Sequence, residues 1–214
     1  MKILILSATH YEIQELLQTF RYLKCSNEGF FRGFAGKNLL DIQVSGVGAA
    51  STAACLTRRL SFSRYDLLMN IGICGSFKNE FKPGSIVNIV SEEWGDLGAE
   101  DQDEYLDLFD LKILKADDPP FRGKKLYNPG NPFSLHFSDL PRVNGLTVNK
   151  AHGNSASIEY CKKRFNADVE SMEGFPVFDI CIRMGINFQC LRTISNFVEP
   201  RNRNNWETEP ALHN

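Results

Sequence analysis

The sequence predicts an α/β fold: a single three-layer α/β/α domain whose central mixed sheet is mostly parallel. Three observations predict it. Short apolar runs alternate with stretches of helical periodicity along the chain. The runs are apolar at consecutive positions, as strands covered on both faces require. Segments bearing glycine, serine or charge follow the runs, where an open α/β sheet gathers its ligands. With 214 residues, no internal repeat and no low-complexity stretch, residues 1–214 are read as one domain with a sizeable core.

The elements follow in order. Residues 3–6 (ILIL) predict the first strand, and the apolar spacing over 11–22 (YEIQELLQTFRY) predicts a helix. Residues 39–45 (LLDIQVS) read as a strand and 48–60 as a helix rich in small residues. Strands are predicted over 66–72 and 85–91. An acidic stretch, 92–110, carries Trp94, Tyr105, Leu106 and Phe109 and is expected either to contact a partner subunit or to form a surface loop with its own small apolar cluster. Prolines and glycines exclude helix through 117–132. Residues 143–148 read as a strand, 155–165 and 172–184 as helices, and 186–194 as the last strand.

The bulk properties narrow the function. A formal net charge of −2, spread along the chain, is not the basic footprint of a nucleic-acid binder. No apolar stretch approaches the roughly 18 residues of a membrane span. The opening MKILILSA is a strand rather than a signal sequence. Six cysteines without a C-x-x-C pair predict reduced thiols in a cytoplasmic protein, not disulfides or a metal site.

Candidate chemistry lies at the strand ends. GVGAAS at 46–51 matches the front of a dinucleotide fingerprint, but Asp66, the acidic residue twenty positions on, precedes its strand instead of ending it. A glycine turn packing a small-residue helix explains the segment better. Glu12 closes a Thr-x-x-Glu capping box and is also a carboxylate at the top of the first strand, able to take a proton from water. Glu170 and Glu173 share a face if both are helical, and a buried carboxylate there needs a donor such as a sugar diol or an arginine. Arg192, inside the last strand, must be paired, with Glu170 or Glu173 as candidates. Asn196 is either a turn former or a two-way hydrogen-bonding group for a planar heterocycle. His10 and His152 lie near strand ends as possible ligand contacts.

MKILILSATHYEI, SGVGAAST, NIGICGSF, DVESMEG and LRTISN, in this order and spacing, resemble the nucleoside phosphorylase/nucleosidase superfamily over almost the whole chain. The VESMEG and RTISN pair carries the resemblance most specifically. Within it the chain resembles the nucleosidase branch, which includes methylthioadenosine/adenosylhomocysteine nucleosidases. It is most similar to futalosine hydrolases, whose last motif continues into a segment like PRNRNNW at 200–206.

The resemblance implies hydrolysis of a purine N-glycosidic bond without metal or cofactor, in a cytoplasmic homodimer or larger homo-oligomer. The futalosine hydrolase likeness implies release of hypoxanthine in menaquinone biosynthesis. Glu12 then activates water, Arg192 orients the water and Glu12, and Met172 with Glu173 holds the ribose. Asn196 reads the base, the 72–75 turn with Gly75 forms the floor, and Ser195, Glu170 and His152 complete the substrate site. Adenine-specific relatives have aspartic acid at the Asn196 position, so asparagine points to a 6-oxopurine. Methylthioadenosine cleavage ranks second and phosphorolysis third, because the Glu12 charge would repel phosphate and Ile73 stands where polar groups contact the nucleophile. Family members end in a long helix that would be starting at 211–214, so the expectation is a closing helix that is short, lost or replaced, or a sequence clipped there.

Overall fold

The computed structural model describes residues 1–19, 21–26, 29–102 and 104–200. Of the expected segments, 201–206 of the basic tail and the closing helix at 211–214 lie outside them. In chain order the elements are β1 (Lys2–Ser7), a 3₁₀ turn (Tyr11–Ile13), α1 (Gln14–Thr19), β2 (Arg21–Ser26), β3 (Phe30–Ala35), β4 (Asn38–Val44), α2 (Ala49–Phe62), β5 (Leu67–Ser76) and β6 (Ile86–Trp94). They continue with β7 (Gly98–Asp101), β8 (Glu104–Asp107), β9 (Leu126–Tyr127), β10 (Arg142–Thr147), α3 (Ser155–Arg164), β11 (Val169–Ser171), α4 (Gly174–Met184) and β12 (Phe188–Phe197).

The main sheet runs β11-β10-β6-β12-β5-β1-β4-β3-β2. Parallel pairs form its centre: β4 with β1, β1 with β5, β5 with β12, and β10 with both β6 and β11. The sheet is mixed, because β12 and β6 run antiparallel and β2, β3 and β4 form an antiparallel meander. It is also not fully open. The antiparallel pairing of β11 with the end of β5 closes β11, β10, β6, β12 and β5 into a ring. The pairing places Glu170 beside Gly75.

Continuous apolar burial explains the central strands. Leu4, Leu6, Leu68, Val87, Ile89, Cys190 and Ile194 are buried with Leu56 of α2 and Val177, Phe178 and Cys181 of α4 in one core. A second cluster joins Ile5, Ile13, Phe31 and Ile42 under α1. A third packs Cys161 and Phe165 against Leu146 and Val148. Cys74, Cys161, Cys181 and Cys190 are buried free thiols, and burial pushes Cys161 and Cys190 up to about 12.

Several expected boundaries change. The helix predicted over 11–22 stops at Thr19, and β2 pairs antiparallel with β3, a hairpin arrangement of Arg21–Ser26 and Phe30–Ala35 that the periodicity does not show. Asp41, fully buried, ties the hairpin down by accepting from Arg32 Nε and Nη2 at 2.6 Å each and from the Tyr65 hydroxyl at 2.7 Å. The helix predicted over 172–184 begins at Gly174, because Val169–Ser171 is a short buried strand. Glu170 and Glu173 therefore do not share a helical face. The acidic stretch begins as strand: Glu92 and Glu93 are buried in β6, and Trp94 packs on Phe175 with ring centroids 4.7 Å apart. Trp94 and Phe109 pack, partly buried, against the main core and Tyr105 against the third cluster.

Candidate active site

The carboxyl ends of β1, β5, β10, β11 and β12 open onto one cavity of about 500 Å³. Its lining includes Glu12, Gly75, His152, Glu170, Met172, Glu173, Ser195 and Asn196, eight of the nine expected site residues. The ninth, Arg192, lies within the central strand β12 and is not among them. Together with Glu12 it lines a second cavity of about 440 Å³.

Glu12 is fixed by the turn after β1. Its Oε2 accepts from the Ser7 hydroxyl at 2.9 Å, the Thr9 amide at 2.8 Å and the Thr9 hydroxyl at 3.0 Å. The amide bond is the return half of the predicted capping box, so the capping and catalytic readings use the same geometry. Oε1 accepts from the Ile73 amide at 3.2 Å and reaches over β5. That approach requires Gly72, where an added Cβ would lie 2.6 Å from Glu12 Oε1.

The expected 72–75 turn is in fact strand, since β5 runs unbroken to Ser76. Its glycines serve close approach rather than turning. At Gly75 a Cβ would meet Val198 Cγ2 at 2.9 Å, Asn196 Nδ2 at 3.4 Å and Glu170 Cγ at 3.6 Å. Gly75 thus lets β11 and β12 deliver both side chains to one floor.

Glu173 sits at the N-cap of α4, and its Oε1 accepts the Gly48 amide at 3.0 Å. Gly48, at φ 91°, caps α2, which is the role of the GVG segment. The Gly48 amide, which a phosphate-binding glycine turn would offer to a ligand, is instead taken by a carboxylate of the same chain. Burial chiefly raises the Glu173 carboxyl above its usual range, opposed by Arg192 and the Gly48 amide.

Arg192, 2% exposed, forms no ion pair with Glu170 or Glu173 among the described residues. Its Nη2 donates to Asn70 Oδ1 at 2.5 Å, and its Nη1 donates to the carbonyls of Asn70 at 3.2 Å and Leu191 at 3.0 Å. Its Nε has no hydrogen-bond partner and faces the point over Gly72 that Glu12 also approaches. Glu170 instead binds His152, through the backbone amide at 3.0 Å and ring Nδ1 at 2.6 Å. His10 packs edge-on against Phe31, 5.8 Å between centroids, and is not among the cavity-lining residues.

An extra residue on β12 aims Asn196. The register steps from Ile194 opposite Cys74 to Asn196 opposite Gly75, leaving Ser195 as a bulge. The Ser195 hydroxyl reaches Asn196 Oδ1 at 2.7 Å and the Cys74 carbonyl at 3.1 Å. Asn196 Nδ2 donates to the Phe197 carbonyl at 2.8 Å. With Oδ1 and one N–H engaged, the second N–H is the polar group Asn196 has left to offer.

Sequence reasoning missed Asn70, Ser7 and Thr147. Asn70 holds Arg192, Ser7 helps hold Glu12, and Thr147 supports the start of α4. Their only sequence signal is a polar residue within or closing an apolar run.

Residues 2–105 match the Phosphorylase superfamily. Futalosine hydrolase of Acidothermus cellulolyticus is 34% identical over 178 residues, covering 80% of this chain and 70% of that protein. Futalosine hydrolase of Streptomyces coelicolor is 33% identical over 181 residues, covering 80% and 73%. The chain belongs to the futalosine hydrolase family. Among solved structures, a methylthioadenosine/adenosylhomocysteine nucleosidase of Colwellia psychrerythraea in complex with adenine superposes with a TM-score of 0.80 over 100% of this chain and 90% of that one, at 17% identity. A futalosine hydrolase mutant of Helicobacter pylori gives 0.75 over 99% and 94%, at 18% identity. At these identities the superpositions speak for the fold. No helix among the described residues is long and apolar enough to cross a membrane.

Proposed function

We propose that the protein hydrolyses the N-glycosidic bond of futalosine to hypoxanthine and dehypoxanthine futalosine, a step of menaquinone biosynthesis. The observation that carries this reading is a single cavity presenting the Glu12 and Glu173 carboxylates and the Asn196 amide at converging strand ends. The curated relatives support the choice of substrate.

In the reaction, the bond between the anomeric carbon and the purine nitrogen breaks, and its electron pair leaves with the base. Positive charge grows on the sugar, facing Glu12 and Glu173, while the free N–H of Asn196 meets the charge growing on the base. Water bonds to the anomeric carbon, its proton passes to Glu12 and on to solvent, and the departing base takes up a proton from solvent. Glu173, with one oxygen held by Gly48, is placed to accept from the ribose hydroxyls beside Met172. A preorganised donor such as the Asn196 N–H lowers the barrier by about 3 kcal/mol, roughly a hundredfold in rate. Arg192, held by Asn70, acts on Glu12 by charge across Gly72. Glu170 and His152 form a paired wall, and Ser195 fixes the Asn196 amide.

Incubation with futalosine in phosphate-free buffer is expected to release hypoxanthine. Release from methylthioadenosine alone, or cleavage of inosine only with phosphate present, would replace this reading with the second or third. The buried free thiols support a cytoplasmic setting. The superfamily likeness supports a homodimer or larger homo-oligomer, which light scattering measures directly.

A further inference from the structure

Glu92 is a fully buried carboxyl that the mechanism above does not use. It sits on β6, outside the substrate cavity's lining, and points under the first turn of α4. Its Oε2 accepts from the Thr147 hydroxyl at 2.9 Å, and the Thr147 oxygen accepts the Phe175 amide at 2.7 Å. Thr147 thus satisfies one of the unpaired donors of the α4 N-terminus, where Glu173 has no side-chain cap of its own. Glu92 Oε1 has no hydrogen-bond partner. It presses against Gly174 and Gly145 so closely that a Cβ on either would clash with it outright. Gly174 is the residue joined to Glu173.

We propose that Glu92 is a positioning residue: through Thr147 and the contact with Gly174 it holds the first turn of α4, and with it Glu173, at the sugar site, and its ionisation sets the alkaline limit of activity. The inference rests on the nucleosidase reading given above.

The groups facing Glu92 decide its charge. Arg192 from β12, the Thr147 hydroxyl and the N-terminus of α4 favour the carboxylate. Burial, Glu93 on its own strand and Glu173 at the start of α4 oppose it, with the buried thiols of Cys74 and Cys190 also within its field. No cation contacts Glu92 among the described residues, while the neighbouring Glu93 is paired with Lys125 at 2.5 Å. Burial wins and raises the Glu92 carboxyl to about 8, so near neutrality it stays protonated. Losing that proton puts an unpartnered charge in a dry site beside Glu173. The strain is relieved by moving the turn that carries Glu173.

The test uses Glu92→Gln, whose amide oxygen can still accept from Thr147 and whose NH₂ replaces the acid O–H. At neutral pH its kcat/KM on futalosine is expected to stay within about threefold of wild type, with the alkaline fall near 8 abolished. Glu92→Ala is expected to lose tenfold or more, mainly in KM. A second readout needs no substrate. The folded protein keeps a proton that the unfolded chain releases above the ordinary value of 4.5. Wild-type Tm should therefore fall relative to Glu92→Gln as pH rises from about 4.5 to about 8, then run parallel to it.

An alkaline fall retained in Glu92→Gln, or parallel Tm curves throughout, overturns the proposal. If Glu92→Gln does not fold, Thr147→Val carries the test: a raised KM with kcat kept supports the relay, and an unchanged KM overturns it. Wild-type protein inert toward every nucleoside while the Tm curves diverge counts against the nucleosidase reading, not against the buried proton.

Discussion

Gly72→Ala tests the role proposed for Glu12 without replacing that residue. An alanine Cβ at this position would lie 2.6 Å from Glu12 Oε1 and 3.3 Å from its Cδ, whereas ordinary contact begins at 3.4 Å. The carboxylate must therefore withdraw by about 0.8 Å. Three donors on Oε2 resist that movement, so the change falls on Oε1 and its bond from the Ile73 amide. Misplacing a catalytic group by about 1 Å costs roughly a hundredfold in rate, about 3 kcal/mol of barrier. Losing one charge-assisted bond costs about 1.5 kcal/mol of stability, a Tm fall of about 5 °C in a domain of this size.

The expected result is thus a kcat lowered about a hundredfold in a protein that still folds, with futalosine KM changed little. Glu12→Asp, which draws the carboxylate back by one methylene, should make the alanine nearly harmless. Gly72→Ala and Glu12→Asp are then strongly non-additive in a double-mutant cycle of hypoxanthine release. Gly72→Ala activity within twofold of wild type, or losses that simply multiply, would refute the placement of Glu12 as the base.

Three further outcomes follow from the geometry. Asn196→Asp restores an acid able to protonate a purine nitrogen and should shift kcat/KM from futalosine toward 6-aminopurine nucleosides, whereas Asn196→Ala loses about a hundredfold on both; competition between the two substrate types reads the ratio. Burial raises the Glu173 carboxyl, so it must lose its proton at a pH above the ordinary 4.5 before it can accept from the sugar hydroxyls. The acid limb of kcat/KM should accordingly rise with pH above 4.5 and weaken in Glu173→Gln, whose KM increases. Arg192→Lys keeps the charge but loses the planar fork to the Asn70 carbonyl and side chain, which should cost about 3 kcal/mol and lower the Tm by about 6–12 °C in thermal melts.

Much of the fold was legible where burial is continuous. ILIL, the run beginning LLMNIG and the last strand are apolar at consecutive positions because both faces are covered, and all three are central strands. The pairing of β2 with β3 was not legible, because β2 continues the apolar spacing of α1 and the anchor of β3, Asp41, lies on another strand. Nor was the strand Val169–Ser171: three residues are too few to show a period, and they run directly into the α4 cap. Eight of the nine expected site residues share a cavity because strand ends converge in an α/β sheet. The partners of those residues were harder to foresee. Arg192 was expected to meet a carboxylate and meets Asn70, and Glu170 was expected to meet an arginine or a diol and meets His152.

By itself the sequence determined the alternating α/β plan, the family and the chemical kinds of group at the strand ends, because burial on two faces and motif spacing are local properties of the chain. Tertiary structure alone decided that Gly72 and Gly75 are contact surfaces rather than turns, that the Ser195 bulge aims Asn196, and that Glu92 lies sealed beneath Glu173. Those facts depend on distances between strands remote in the chain, and no local pattern encodes them.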